Sequence, residues 1–263
     1  MTAIFRNESK QLYRGSIVLV GVFALFSTLY FSIFPDFAAD AEAAEEVMDA
    51  FPESLMDFFG IEAIHTIEGF IAAEIYAFFW TILVGVYFAY VSAGMIAGDV
   101  ENRKMDLTLS YPISRESVLA QKVAALLVPL TLLNVGVFSI VYAGAWLIDE
   151  PFNPIALAMV HLLSVPYLLV CAGMGLVLSV IVDRARTAQG AALGLVFMLW
   201  LVEGVSNIDQ EYEWIGYFTP SRYYDQTAIL VHEEYAFFDG AVLLAAFVFL
   251  VLFATGLFIR RDI

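Results

Sequence analysis

PIALAMVHLLSVPYLLVCAGMGLVLSVIV, residues 154–182, contains no charged side chain. A helix rises about 1.5 Å per residue, so about 20 residues cross the ~30 Å hydrocarbon layer. This run is long enough to span a membrane. A core helix of a soluble protein would show a polar stripe at helical spacing, and this one does not. Similar runs fall at 16–34, 75–97, 124–148, 187–205 and 241–259, and only 187–205 carries a charge, Glu203. The six runs predict an all-α polytopic membrane protein with six transmembrane helices. The 263 residues read as one transmembrane domain, 1–263. Mean hydropathy is +0.81. Charged residues make up 15% of the chain, against about 25% in a soluble domain. A closed β-barrel is disfavoured, because its strands are about 10 residues long and alternate in polarity.

Positive charge sets the orientation. Lys and Arg stay on the cytoplasmic side, most strongly in short loops. Arg6, Lys10 and Arg14 precede the first run. Arg103, Lys104, Arg115 and Lys122 separate the second from the third. Arg184 and Arg186 separate the fourth from the fifth, and Arg260 and Arg261 follow the sixth. Eleven of the 12 basic residues therefore fall on one side of a six-span arrangement, Arg222 being the exception. Both termini are predicted to be cytoplasmic, in a multi-pass protein of the cell membrane. The basic residues and apolar run at the N-terminus loosely resemble a signal peptide. The run is longer than a usual signal core and five more follow, so a retained helix is expected.

Carboxylates go the other way. Residues 35–74 hold eleven Asp or Glu and no Lys or Arg, and the segment after the fifth run is also acidic. Most of the net charge of −16 therefore faces outward. It reads as a strongly solvated exterior, as in a salt-loving organism, or more sharply as an outward trap for cations. A field this negative repels nucleic acid, which excludes DNA and RNA partners. Cys171 is the only cysteine, so there is no disulfide framework or thiolate metal cluster. It reads as a small packing residue.

Chemistry-bearing motifs are absent from the sequence. It has no phosphate-binding Gly-x-x-x-x-Gly-Lys-Ser/Thr loop, no His-Glu-x-x-His and no Gly-x-Ser-x-Gly elbow. No cofactor or metal is expected on this chain. Ionisable residues inside spans are candidates for a substrate path. Here they are Glu74, His161 and Glu203. The plainer alternatives are a hydrogen bond between helices for His161, and span ends reaching water for the two carboxylates.

Two segments need a further account. Residues 206–238 carry Trp214, Tyr217, Phe218, Tyr223 and Tyr224, too aromatic for plain solvent exposure. Short helices at the outer boundary are expected, broken at Pro220, with Arg222 paired to a nearby acid. Residues 98–122, GDVENRKMDLTLSYPISRESVLAQK, are densely charged between two apolar runs. Gly98 is expected to stop the second span and Asp99 to cap a short amphipathic helix over about 99–111. Met105 with Leu109 and Leu107 with Tyr111 are apolar i,i+4 pairs on it. Tyr111-Pro112 ends it, and Ser114 caps the next helix, with Ile113 and Val118 as a hydrophobic staple. A short helix joined rigidly to two spans suits a push from a cytoplasmic partner; a compact loop without one is the alternative.

Leu109-Ser110-Tyr111-Pro112-Ile113-Ser114-Arg115 and the later Lys122 resemble the loop between spans two and three of type-2 exporter permeases of the ATP-binding-cassette (ABC) superfamily. Asp99 and Glu101 match the acidic residue of that loop. Its Gly-Thr turn is replaced here by Arg103-Lys104-Met105-Asp106. The N-terminal residues resemble the family's interfacial elbow, the Pro220 region its last outer loop, and Arg260-Arg261-Asp262-Ile263 its usual ending. The resemblance implies a permease that moves a substrate, as an exporter, using a separate P-loop ATPase that holds ATP and Mg. It also implies a second permease, identical or paralogous. Residues 99–111 would be the coupling helix, with Asp99, Glu101, Arg103, Lys104, Met105, Leu107, Leu109, Pro112, Ser114 and Arg115 as coupling residues. From the residues alone, a secondary transporter, a membrane assembly subunit or an intramembrane enzyme remains open.

Overall fold

The computed structural model describes residues 3–39 and 52–261. Residues 40–51 of the acidic 35–74 stretch and the final Asp262-Ile263 lie outside the described residues. Six long apolar helices dominate: α1 (Ala3–Ala39), α3 (Ile67–Glu101), α5 (Arg115–Leu147), α6 (Pro154–Ile181), α7 (Ala185–Ile208) and α10 (Phe237–Arg260). Short helices connect them: α2 (Glu53–Phe59), α4 (Lys104–Leu109), α8 (Glu213–Gly216), a 3₁₀ turn at Ser221–Tyr223, and α9 (Gln226–Leu230). The six expected spans are all present. The chain is a multi-pass membrane protein.

The helix starts follow local chemistry. The Asn153 side chain accepts from Ile155 N–H at 2.9 Å, and Pro154 follows at the first helical position, where its missing N–H costs nothing. Pro166 stands inside α6 without ending it. The Ser114 hydroxyl accepts from Ser117 N–H at 3.2 Å, and Val118 is buried with Ile113 packed on the same cluster, giving the expected cap and staple.

Helices α3 and α6 form the centre. They pack most extensively on each other, with α10 against α6, α7 against α3, and α1 against α5. The central pair touches closely because of Gly175. A Cβ there would stand 2.1 Å from Ala89 O, so only glycine fits. Ser92 Oγ donates to Ala172 O at 2.7 Å across the same contact. Between Ala72 and Val84 the α3 backbone winds in wide π-type turns. Such turns are rare and occur mostly where function or packing re-aims a helix.

One expectation needs correction here. The N-terminal residues do not form a separate interfacial elbow: residues 3–39 are one continuous helix of 37 residues.

Except for Arg222, the basic residues gather at one end of the bundle. There the start of α1 meets the end of α3, the starts of α5 and α7 and the ends of α6 and α10. The opposite end carries α2 and the 206–238 segment. Phe58 and Phe59 of α2 pack on the chain itself, against Trp200 of α7, with centroids 5.6 and 6.1 Å away. The 206–238 segment forms short helices as expected. Pro220 precedes the 3₁₀ turn, and Arg222 pairs with Glu213 at 2.5 Å.

Candidate functional site

The junction between α3 and α5 differs in detail from the expected plan. Gly98 does not stop the span. Helix α3 continues to Glu101, and the turn falls at Arg103, whose φ of 55° lies in the left-handed region. A side chain other than glycine is strained there. Asp99 is therefore not a cap, and the short helix is narrower than 99–111: it is α4, Lys104–Leu109.

The two expected apolar pairs divide between buried and exposed sides, and Tyr111 falls in the bend after α4. Met105 is 0% exposed, packed among Ile96 of α3, Val118 of α5, Leu176 of α6 and Phe258 of α10. Leu109 leans on the same cluster. Leu107 and Tyr111 point away and are 69% and 72% exposed. Arg103, Lys104 and Pro112 are exposed as well. The anchor sets α4 into a cluster to which four spans contribute. Burying a methionine fully is worth about 1.5–3 kcal/mol.

Charged residues of the junction are largely engaged within the chain. Lys122, 1% exposed, stands 2.5 Å from Glu8 Oε1 and 2.7 Å from Asp99 Oδ2. One buried ammonium thus ties α1, α3 and α5. A buried charge is tolerated only when it is paired, and here two carboxylates pair it. Glu101 Oε2 accepts from Ala185 N–H at 2.9 Å, capping the start of α7. Arg115 Nη1 donates to Phe258 O at 2.8 Å, to Ile259 O at 3.3 Å and to Arg261 O, closing the last turn of α10. Arg261 in turn donates to Val180 O at 2.5 Å and pairs with Asp183 at the end of α6. Ser179 Oγ accepts from Ile96 and Ala97 N–H at 2.8 and 3.0 Å, locking α6 to α3. Asp99, Glu101 and Arg115 therefore hold helices together, while Leu107, Tyr111, Arg103 and Lys104 face outward.

Glu8 was not singled out in the sequence, and Arg261 was read only for topology and for its resemblance to the family's ending. The signal for Glu8 is a lone carboxylate among Arg6, Lys10 and Arg14, but its partner lies 114 residues away.

The three intramembrane candidates have separate surroundings. Glu74 is half-buried beside Tyr30. His161 sits in a network of three helices. Its Nε2 meets the Tyr76 hydroxyl at 2.9 Å and its Nδ1 the Asn134 Oδ1 at 3.3 Å; Ser164 Oγ donates to the same Asn134 oxygen at 3.3 Å. Trp80 packs edge-on to the imidazole at 4.8 Å. Tyr76 and Trp80 both come from the π-wound part of α3. This is the interhelical bond that formed the plainer alternative for His161, made to side chains rather than to a carbonyl. Glu203 is buried at the far end of α7, accepts from the Thr219 hydroxyl, and lines a cavity of about 480 Å³.

The family model described as "ABC-2 family transporter protein" matches residues 2–263. No curated protein matches the chain.

Proposed function

The chain belongs to the ABC-2 transporter family, and on that premise we propose that α4 is the segment through which a separate ATPase drives the spans. The chain is the membrane component of such a transporter. Members of the family pair with ATPase subunits, and we assign ATP and Mg to that partner. The whole of 1–263 acts as one permease domain, and a second permease, identical or paralogous, completes the assembly. The positive charge at the α4 end supports a cytoplasmic location for it and for both termini. We assign export as the direction.

One observation carries this proposal: α4 is anchored by Met105 in a cluster to which four spans contribute, while Leu107 on its other face and Tyr111 just beyond its end are exposed. An exposed apolar pair on a rigidly anchored helix suits a groove on a partner, and Arg103 and Lys104 beside it would steer docking. The Lys122 triad and the Arg115 and Arg261 caps would pass a displacement of α4 to α1, α6 and α10 rather than absorb it. Purification from native membranes in mild detergent, followed by native mass measurement, tests the assembly. Two permeases with two nucleotide-binding chains are expected. A monomer without such a chain, under conditions that keep other membrane complexes whole, overturns the proposal.

A further inference from the structure

We propose that the basic face of α1, with the neighbouring apolar surface of α5, is a docking groove for an anionic phospholipid of the cytoplasmic leaflet. The inference goes beyond the transporter assignment and rests on the orientation given there to the α4 end. The groove, about 750 Å³, lies between Arg6, Lys10, Tyr13 and Arg14 of α1 and Val128 of α5.

Arg6, Lys10 and Arg14 follow one another at four-residue spacing. Each is turned about 40° from the last, so all three share one side of the helix. All are exposed, and none has an ion-pair partner among the described residues. Glu8 is the only carboxylate in residues 1–35. It stands about 200° from Arg6 around the helix and is bonded to Lys122 on the inner side. The stripe therefore keeps its full positive charge. Lys122, Arg115 and Arg261, at the same end, are instead engaged within the chain.

Position decides what the stripe meets. Further along α1, Ile17, Val18, Leu25 and Leu29 are exposed, while Leu12, Ser16, Phe23 and Ser27 are buried. At about 100° per residue, the exposed set lies on the same side as the stripe and the buried set on the opposite side. The basic face thus continues the exposed apolar face of the span. Arg14 stands two residues, about 3 Å, before the apolar run, and the headgroup layer is about 5–8 Å deep. Arg14 is therefore at headgroup depth, with Lys10 and Arg6 one and two turns below it and long enough to reach back. Leu127 and Val128 of α5 supply apolar surface beside them, Leu127 being 55% exposed. Uncompensated cations next to apolar surface fit a phosphate headgroup and the start of its acyl chain. The negative cytoplasmic leaflet supplies such lipids.

The test uses the full chain with its ATPase in detergent micelles, titrated with dioleoylphosphatidylglycerol or dioleoylphosphatidylcholine and read by native mass measurement. Tighter binding of the anionic lipid is expected. Each basic residue near an anionic headgroup contributes roughly fivefold. The Arg6→Gln, Lys10→Gln, Arg14→Gln variant should therefore bind phosphatidylglycerol on the order of a hundredfold more weakly, with phosphatidylcholine unaffected. Arg184→Gln with Arg186→Gln removes two charges from the same end and should leave both affinities nearly unchanged. Should the triple variant fail to insert, Lys10→Gln alone carries the expectation of a roughly fivefold loss. Equal affinity for the two lipids overturns the proposal. So does an equal loss in the Arg184, Arg186 variant, or full competition by inorganic phosphate, which would make the groove a site for free anions. If the triple variant loses the ATPase or the second permease while its phosphatidylglycerol affinity is unchanged, the face belongs to that partner and the proposal fails. A wild-type preparation without an ATPase contradicts the transporter assignment instead, and the lipid preference is then read on the permease alone.

Discussion

Met105 and Leu107 stand two residues apart on α4 and face opposite ways: one is fully buried among four spans, the other 69% exposed. Helical geometry puts them about 200° apart. The consequences of changing them should separate just as sharply. Met105→Ala leaves a cavity in a packed cluster and should cost about 2–5 kcal/mol of stability. Leu107→Ala should be neutral within about 0.5 kcal/mol. Thermal unfolding of the two purified variants distinguishes them.

The Lys122 triad makes a second prediction. Lys122→Met leaves Glu8 and Asp99 facing each other without a counter-charge. Breaking a buried pair from one side costs about 3–5 kcal/mol. Adding Glu8→Gln and Asp99→Asn removes the orphaned charges, so the triple variant should recover much of the lost stability. Denaturation midpoints that add independently would contradict the linkage.

Within the bundle, Tyr76→Phe deletes the hydroxyl that meets His161 Nε2. A buried group left without its partner costs about 1–3 kcal/mol. His161→Phe alone should cost a similar amount, and the double variant less than the sum. A double-mutant cycle on unfolding reads the coupling directly. Strict additivity would mean the two side chains merely touch.

Orientation gives a fourth prediction. In a Cys171→Ala background, single cysteines at Lys104 and Glu234 report the two ends. An impermeant thiol reagent applied to intact cells should label position 234 and not 104. The opposite pattern inverts the proposed topology.

The six spans were legible because residues 154–182 and their counterparts are long and, Glu203 aside, uncharged, and only a helix or a closed barrel satisfies backbone groups in lipid. Ser114 was legible as a cap because capping is local. Arg222 was legible as paired, since acids flank it closely. Other features depend on contacts distant in sequence. Whether Met105 or Leu107 faces inward follows from the left-handed turn at Arg103, and α-helical periodicity offers both faces equally. The merging of the N-terminal residues into α1 is fixed by Glu8 meeting Lys122, and Phe58 against Trp200 by a fold that joins distant segments. Asp99 and Glu101 resemble family residues, but their bonds to Lys122 and Ala185 appear only once α3, α5 and α7 are assembled.

The central claim is that the exposed face of α4 docks the ATPase. Leu107→Asp and Tyr111→Asp change that face without touching a span or the Met105 cluster, so both variants should insert and unfold like the wild type. Burying Leu107 in a partner groove would be worth about 1.5–3 kcal/mol, and a carboxylate in its place reverses the sign. The deciding measurement is co-purification of the ATPase with Leu107→Asp, read beside the hydrolysis rate of the complex. Loss of association with the permease still folded is the predicted result. Wild-type association together with wild-type turnover would contradict it and leave α4 as a connecting turn.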